Sequence, residues 1–144
     1  MKIKEMKINC PLCDSINQKY RLIKKTKHSF CIICKSPLKD GHVMVLPKRH
    51  VTQTEFSCLT PEESKDLLSL MEEMQNHIHK IYDENTIIVK NGEGNSTQAH
   101  LHFHILPSKN GLRDFLSKLE GVPHRKDIST EKYIKIKEML LNGL

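Results

Sequence analysis

Three histidines that alternate with apolar residues constrain this chain more than any other feature of its sequence. His100, His102 and His104 are separated by single apolar residues and run into an Ile-Leu-Pro segment. Strict alternation predicts a half-buried β-strand, on which the three imidazoles line one face and the intervening apolar side chains pack on the other. Histidine is not a favoured strand residue, so three in this pattern predict a chemical site rather than ordinary surface or core residues.

The spacing of these histidines limits how many of them can bind one metal ion. Residues two apart on a strand lie about 6.6 Å from each other, so the outer pair is about 13 Å apart. Zinc binds an imidazole nitrogen at about 2.1 Å and therefore cannot bind both His100 and His104. At most two of the three histidines can share an ion, which leaves at least one for other chemistry.

Length and composition predict one soluble globular domain over residues 1–144. The chain is 38% hydrophobic and 28% charged, and no stretch approaches the roughly 18 apolar residues of a membrane span. The N-terminus lacks the apolar segment of a signal peptide and the five cysteines are odd in number, so we expect a cytoplasmic protein without a disulfide framework. The net charge of +6 comes without tryptophan, which argues against a nucleic-acid partner and is compatible with anionic small substrates.

The apolar pattern predicts five strands and one long helix, followed by two shorter helices. Residues 60–63 (Thr-Pro-Glu-Glu) supply an N-cap, a proline and a glutamate that begin the long helix, which ends near Tyr82. Its apolar stripe predicts core or subunit contacts, and consists of Leu67, Leu70, Met71, Met74, Ile78 and Ile81. The predicted strands are 20–24, 29–34, 42–47, 86–90 and 100–105, and the predicted C-terminal helices are 111–121 and 129–141. This order predicts an α+β fold with a mainly antiparallel five-stranded sheet.

Two motifs together resemble those of the histidine triad superfamily of nucleotide hydrolases and transferases. One is the segment 100–107, His-x-His-x-His-Ile-Leu-Pro, and the other is the upstream segment 41–50, a Gly-His strand that ends in Pro-Lys-x-His. The order and separation of the motifs also match, with the long helix between them, and the resemblance covers residues 10–107. We expect residues 108–144 to be a helical extension of the same domain.

The resemblance implies a role for each active-site histidine. It assigns the nucleophile to His102, which would form a nucleotidyl-phosphohistidine that water then hydrolyses. His104 matches the residue that holds the non-bridging phosphate oxygens. His42 matches a fourth histidine that supplies positive charge and hydrogen bonds to the phosphate.

The loop before the triad is expected to contact the substrate through Asn91, Thr97 and Gln98. Thr97 stands where the family has Ser or Thr at the scissile phosphate, and Asn91 matches an Asn that opens this loop. The loop is shorter than the commonest version, so an ordinary polar turn remains an alternative for Asn91 and Gln98. Cys34 stands where the family places an Asp or Asn for the ribose hydroxyls; a thiol cannot accept two good hydrogen bonds, which leaves the nucleoside preference open.

The resemblance to a zinc-containing subset of this family implies one structural Zn²⁺ per chain. The implied ligands are Cys10, Cys13, His50 and His100. A closed Cys₂His₂ tetrahedron is ordinary zinc chemistry, and this set leaves His102 and His104 free.

A four-cysteine zinc ribbon is the alternative metal site. Its ligands would be Cys10, Cys13, Cys31 and Cys34, whose spacing fits that of known ribbons. On a strand, however, the thiols of Cys31 and Cys34 point to opposite faces, which favours the Cys₂His₂ set.

Three functions remain open at this point. The first is a nucleotide phosphohydrolase that acts on a nucleoside phosphoramidate or a dinucleoside polyphosphate through His102. The second is a nucleotidyltransferase or phosphorylase that uses the same intermediate with another acceptor. The third is a zinc-stabilised binding module without turnover, against which the intact His42, His102 and His104 count. The resemblance also implies a homodimer.

Overall fold

An antiparallel sheet of five strands forms the centre of the first of two units into which the chain divides, Met1–Lys109 and Asn110–Leu144. The computed structural model describes residues 9–92, 99–121 and 127–144. In chain order the elements are α1 (Pro11–Ser15), β1 (Leu22–Lys25), β2 (Ser29–Ile33), β3 (Val43–Pro47), a 3₁₀ turn (Phe56–Cys58), α2 (Pro61–Tyr82), β4 (Thr86–Val89), β5 (Phe103–Pro107), α3 (Gly111–Glu120) and α4 (Thr130–Leu141). The predicted α+β fold with an antiparallel five-stranded sheet is confirmed.

The strand order β1-β2-β3-β5-β4 places the last strand in the interior of the sheet. All four strand pairs are antiparallel, and β2 pairs with β3 from Ser29 opposite Pro47 to Ile33 opposite Val43. β5 enters between β3 and β4 and pairs with both. Side chains on β5 therefore have neighbours on either side, which makes this strand a rigid support for a site.

The two faces of the sheet have different coverings. One face packs on α2, and its core includes Val43, Val45, Leu67, Leu70, Met74, Leu101 and Ile105, with Phe103 against it. The other face carries a second cluster, which consists of Cys10, Leu12, Phe30, Ile32, Met44 and Leu46. Met44 lies directly opposite His104 in the register, and facing residues of a strand pair share a face. The histidines therefore lie on the face away from α2, as the alternation predicted.

The long helix has the bounds that its sequence predicts. The Thr60 hydroxyl accepts the N–H of Glu63 at 3.1 Å, and the Glu63 carboxylate accepts the N–H of Thr60 at 3.0 Å, which completes a capping box. The predicted apolar stripe is buried from Leu67 to Ile78. Its last member, Ile81, is 58% exposed and therefore lies outside the core, so the alternative of a subunit contact stays a prediction for this residue. Ile81 borders a cavity of about 300 Å³ near the helix end, which Ile33 and Val43 of the sheet also line.

A glycine permits the chain to enter β3 close to the end of α2. Gly41 has a φ of +89°, and a Cβ there would lie 2.7 Å from Cε2 of Tyr82 and 2.9 Å from Cγ of Pro107. Only glycine adopts this conformation readily while leaving room for the ring. The next residue is His42, so the close approach of Gly41 to Tyr82 fixes the position of the His42 backbone.

The second unit contains α3 and α4, whose bounds agree with the predicted helices. Gly121 ends α3 in the left-handed conformation, and the Ser129 hydroxyl caps α4 by accepting the N–H of Lys132. No residue of either helix is buried. That the two units form one domain stays a prediction. Within the described ranges, no helix is long and apolar enough to cross a membrane.

Gly41→Ala is expected to lower the free energy of unfolding by more than about 1 kcal/mol, because the new Cβ adds a collision to a left-handed backbone. Gly121→Ala is the matched control, since it shares a positive φ of +66° with open space around the Cβ. Urea unfolding of both variants measures the difference. Equal losses would show that the contact with Tyr82 has no energetic consequence.

Candidate active site and metal centre

The histidine segment enters the sheet later than its alternation predicts. β5 begins at Phe103, and His100 makes only an isolated antiparallel bridge with Thr52. The predicted strand is therefore wrong over its first three residues. The N–H of Leu101 donates instead to the carbonyl of Val51 at 2.6 Å, because the loop after β3 takes the place of a strand partner there.

His42 and His104 form a hydrogen-bonded pair between β3 and β5. Nε2 of His42 lies 2.8 Å from Nδ1 of His104, and Nδ1 of His42 accepts the backbone N–H of Leu38 at 3.1 Å. A neutral imidazole whose Nδ1 accepts carries its proton on Nε2, so His42 donates to His104. His104 then carries its own proton on Nε2. The pair thus offers one N–H donor of defined direction.

The ring of His102 packs edge-to-face on that of His104, with centroids 5.0 Å apart. Nδ1 of His102 lies 2.8 Å from the carbonyl oxygen of His100. A carbonyl oxygen can only accept, so Nδ1 carries the proton and Nε2 retains its lone pair. A neutral imidazole with an available Nε2 lone pair is the form that attacks an electrophile.

Burial keeps these imidazoles uncharged near neutral pH. It lowers the pKa of both His42 and His102 below the usual histidine value. Burial, followed by the neighbouring His102 and His42, lowers the pKa of His104 to about 4. In the free protein the His42 ring is therefore neutral and supplies a hydrogen bond, while its supply of positive charge to a bound phosphate stays a prediction.

Two cysteines and two histidines converge on the other side of His102. The ligand atoms of Cys10, Cys13, His50 and His100 all lie within 4.8 Å of one another. Sγ of Cys13 is 3.3 Å from Nδ1 of His50 and 3.3 Å from Nδ1 of His100, and Sγ of Cys10 is 3.7 Å from the latter. Ligands of a tetrahedral ion with ordinary zinc bond lengths stand about 3.5 Å apart. These four residues could hold a metal ion.

The orientation of His100 fits a ligand role. The ring is fully buried, and its Nε2 lies 2.9 Å from the carbonyl oxygen of Pro47. Nε2 therefore carries the proton and donates it to this carbonyl, so the lone pair is on Nδ1, which faces the thiols. Metal-bound histidines characteristically donate their other N–H to such a carbonyl.

Both thiols are held by α1, a five-residue helix that the sequence analysis did not anticipate. Cys10 is its N-cap, and its Sγ accepts the N–H of Cys13 at 3.4 Å. Residues three apart lie on one side of a helical turn, so the Cys-x-x-Cys spacing aims both sulfur atoms at the same point.

The four-cysteine ribbon is not formed. Cys31 is fully buried in the cluster that packs on α2, whereas Cys10 belongs to the cluster on the opposite face of the sheet. Because side chains alternate along β2, Cys31 faces α2 while its neighbours Phe30 and Ile32 face the cluster that contains Cys10. The alternative of a ribbon is therefore wrong.

A second group with metal-binding side chains borders the histidine pair. Ligand atoms of Cys34, His42 and His104 lie within 4.8 Å of one another. The N–H of Cys34 donates to the carbonyl of His42 at 3.1 Å, which places the two residues opposite each other. Nε2 of His42 carries the proton that it donates to His104, so it has no lone pair for a metal. This geometry instead places the Cys34 thiol beside the pair of His42 and His104, at the position that the resemblance predicts to meet a ribose.

The three residues predicted to contact the substrate are Asn91, Thr97 and Gln98. Asn91 is half-buried and lies shortly after β4. Thr97 and Gln98 lie outside the described residues. Gln53 was not among the predicted site residues, yet its side chain is 3% exposed and its amide nitrogen lies 3.1 Å from Nδ1 of His102. No repeat or motif marks this residue, because its position depends on how the loop after β3 folds back.

Comparison with known proteins gives one family and several relatives. The family model described as HIT domain matches residues 16–111. The chain is 35% identical over 116 residues to the nitrilase and fragile histidine triad fusion protein NitFhit of Caenorhabditis elegans, a match that covers 74% of this chain and 26% of that protein. It is 33% identical over 88 residues to the asymmetrical bis(5'-nucleosyl)-tetraphosphatase of Schizosaccharomyces pombe, a match that covers 59% of this chain and 47% of that protein. The chain therefore spans less than half the length of these two relatives.

The fold also resembles that of solved structures. One is the crystal structure of a member of the HIT family from Bacillus subtilis, with a TM-score of 0.67 and 20% identity, over 95% of this chain and 98% of that one. At that identity the likeness concerns the fold alone.

Cys10→Ser is expected to release a bound metal ion and lower the melting temperature, because binding at such a site is part of the folding free energy. Cys58→Ser is the matched control, since Cys58 is exposed and lies in the 3₁₀ turn. Metal content by mass spectrometry and thermal unfolding measure both effects. A Cys10→Ser variant that keeps its metal and its melting temperature would contradict the site.

The low pKa of His104 predicts acid sensitivity. Its folded pKa of about 4 lies below the ordinary histidine pKa of 6.5, so the unfolded chain binds a proton first as the pH falls. The resulting stability is present above pH 6.5 and is lost as the pH falls toward 4. His104→Gln should therefore lose less unfolding free energy than the wild type between pH 7 and pH 5 in urea titrations. Equal losses would refute this contribution.

Proposed function

The chain belongs to the HIT domain family, and we propose that it hydrolyses the phosphoanhydride bond of a dinucleoside polyphosphate through a nucleotidyl-phosphohistidine on His102. The observation that carries this proposal is the 2.8 Å contact between Nδ1 of His102 and the His100 carbonyl. The relative from S. pombe is named a bis(5'-nucleosyl)-tetraphosphatase, which supports this substrate class over a phosphoramidate.

The first step uses the lone pair on Nε2 of His102. This atom attacks a phosphorus, the Nε2–P bond forms, and the bond from phosphorus to the bridging oxygen breaks. The departing nucleotide takes the electron pair of that bond. Water then attacks the same phosphorus and loses a proton to the solvent, the Nε2–P bond breaks with its electron pair returning to Nε2, and the ring, which keeps its Nδ1 proton, becomes neutral again. Splitting one slow attack by water into two steps is the advantage of a covalent intermediate.

The His42–His104 pair would stabilise charge on the phosphoryl oxygens. Leu38 fixes the proton of His42 on Nε2, and His42 fixes that of His104 on the far nitrogen. His104 therefore presents an N–H donor without any rearrangement during the reaction. Such pre-oriented donors are worth most where charge develops in a site that excludes water. Asn91, Thr97 and Gln98 are proposed as further substrate contacts.

We also propose that the metal bound by Cys10, Cys13, His50 and His100 is one structural Zn²⁺. Two thiolates and two imidazoles suit zinc, and four protein ligands close the coordination sphere. The ion would hold α1 against the loop after β3 and fix the backbone at His100. A homodimer and a cytoplasmic location stay predictions.

His102→Ala is expected to reduce turnover by at least about three orders of magnitude while the fold remains intact, because the nucleophile is lost. His77→Ala removes an exposed imidazole of α2 and is the matched control. The assay measures products from a panel of dinucleoside polyphosphates, adenosine phosphoramidate and nucleotide sugars. Acid-quenched samples with radiolabelled substrate test for a covalent adduct.

Normal turnover by His102→Ala would overturn the mechanism. Release of a nucleoside diphosphate only when inorganic phosphate is added would identify a phosphorylase instead. Binding of the panel without any turnover would identify a binding module.

A further inference from the structure

Gln53 is a buried polar residue that the mechanism above does not use. Its backbone N–H donates to the carbonyl of Ala99 at 2.9 Å, which fixes this residue beside the histidine segment. Its side chain is 3% exposed, and its amide nitrogen lies 3.1 Å from Nδ1 of His102. The same Nδ1 lies 2.8 Å from the carbonyl oxygen of His100. Two polar groups of the protein thus meet one nitrogen of the proposed nucleophile.

These two groups make opposite demands on Nδ1. The carbonyl of His100 can only accept, so it requires a proton on Nδ1. The amide nitrogen of Gln53 can only donate, so it requires a lone pair there. The carbonyl belongs to the backbone and cannot change its role, whereas a half-turn of the terminal amide exchanges nitrogen for oxygen. With the oxygen toward the ring, both groups accept the same proton.

We propose that Gln53 is a positioning residue, whose amide oxygen accepts the Nδ1 proton of His102 together with the His100 carbonyl and so keeps the Nε2 lone pair on the reacting side. This inference rests on the proposed role of His102 as the nucleophile. The residue acts through His102 and supplies no atom to the phosphate.

The contact between Gln53 and His102 is expected to be strongest in the covalent phosphohistidine adduct, because the ring is charged there. When the Nε2–P bond forms and the bridging P–O bond breaks, the electron pair leaves with the departing nucleotide. The proton on Nδ1 stays, so the ring of the adduct carries a positive charge. Hydrogen bonds to a charged donor are stronger than those to a neutral one. A second oxygen at Nδ1 therefore stabilises the adduct, and the transition state that leads to it, more than the free ring.

The substitutions that test this role differ in what they present to Nδ1. Gln53→Leu removes the acceptor with little change in size, and Gln53→Met is a second variant of this kind in case the first does not fold. Gln53→Glu keeps an acceptor and is the conservative rescue. Thr54→Ala changes an exposed neighbour in the same loop and is the matched control. Thermal unfolding establishes that each variant is folded.

The first readout is the tautomer of His102 in the protein without substrate. Two-bond ¹H–¹⁵N spectra of histidine-labelled protein report which nitrogen carries the proton, with the signals assigned by His102→Gln. The wild type, Thr54→Ala and Gln53→Glu should show the proton on Nδ1. Gln53→Leu or Gln53→Met should show a measurable share of the ring with the proton on Nε2. An unchanged tautomer in both apolar variants would overturn the proposal.

The second readout is the rate of adduct formation in single-turnover, rapid-quench experiments with a radiolabelled dinucleoside polyphosphate. The apolar variants should form the adduct about 10- to 100-fold more slowly, which is the range for loss of a hydrogen bond to a charged group. Their KM should stay near the wild-type value, and Gln53→Glu should recover most of the rate. Equal rates in all variants, or equal slowing by Glu and Leu, would overturn the proposal.

The two readouts separate this inference from the proposed function. If the wild type forms no adduct with any substrate, the proposed function fails, while the tautomer of His102 still tests the contact with Gln53. If the wild type forms the adduct and the apolar variants match it, the function stands and the positioning role fails.

Discussion

One buried imidazole connects the two halves of this site. The ring of His100 is held at both nitrogens, by the Pro47 carbonyl at Nε2 and by the thiol of Cys13 at Nδ1. Its own carbonyl oxygen, on the backbone of the same residue, is the acceptor for His102. A metal at the cysteines would therefore fix the group that orients the proposed nucleophile. Because His100 is fully buried, loss of its partners would leave polar atoms without compensation in the interior. With a metal ion bound, the candidate metal centre and the candidate active site would act as one rigid unit for this reason.

A single rule governs the four histidines around this point: the backbone or a neighbour occupies one ring nitrogen and leaves the other for chemistry. The Leu38 N–H occupies Nδ1 of His42, and the His100 carbonyl occupies Nδ1 of His102. The direction of the backbone group decides the outcome, since an N–H leaves a donor on the far nitrogen and a carbonyl leaves a lone pair. Burial supports the same division, because it lowers the pKa of His42 and His102 and keeps the rings neutral. Neutral rings of fixed tautomer can therefore lie side by side on one face of a sheet, one presenting an N–H donor and another presenting a lone pair.

Periodic patterns in the sequence predicted the fold and the histidines of the candidate site, but not the contacts that fix their tautomers. The capping residues of α2 and the alternation of Leu101 with Ile105 depend on local geometry, so their consequences were predictable. The start of β5 was not, because the loop at Val51 competes with β3 for the backbone of residues 99–101. Gln53 was missed for the same reason. Ile81 continues the stripe of α2 but is 58% exposed beside a cavity, and helical spacing alone does not show whether a neighbouring element fills the space next to a residue.

The thiol of Cys34 adds an argument about recognition. It lies opposite His42, on the face where a nucleotide would bind, and packs against the cluster that contains Ile32 and Met44. A carboxylate at this position would accept two hydroxyl protons of a ribose, whereas a thiol is a weak donor and a weak acceptor. If the chain binds a nucleotide as proposed, the surroundings of the sugar would be more apolar, and less of the binding energy would come from the ribose. Under the proposed function, recognition then depends more on the phosphates, which both nucleotides of a dinucleoside polyphosphate share. The net charge of +6 favours the approach of such a polyanion. Weak discrimination between ribonucleotides and deoxyribonucleotides is therefore the expected consequence of one sulfur atom in place of a carboxylate.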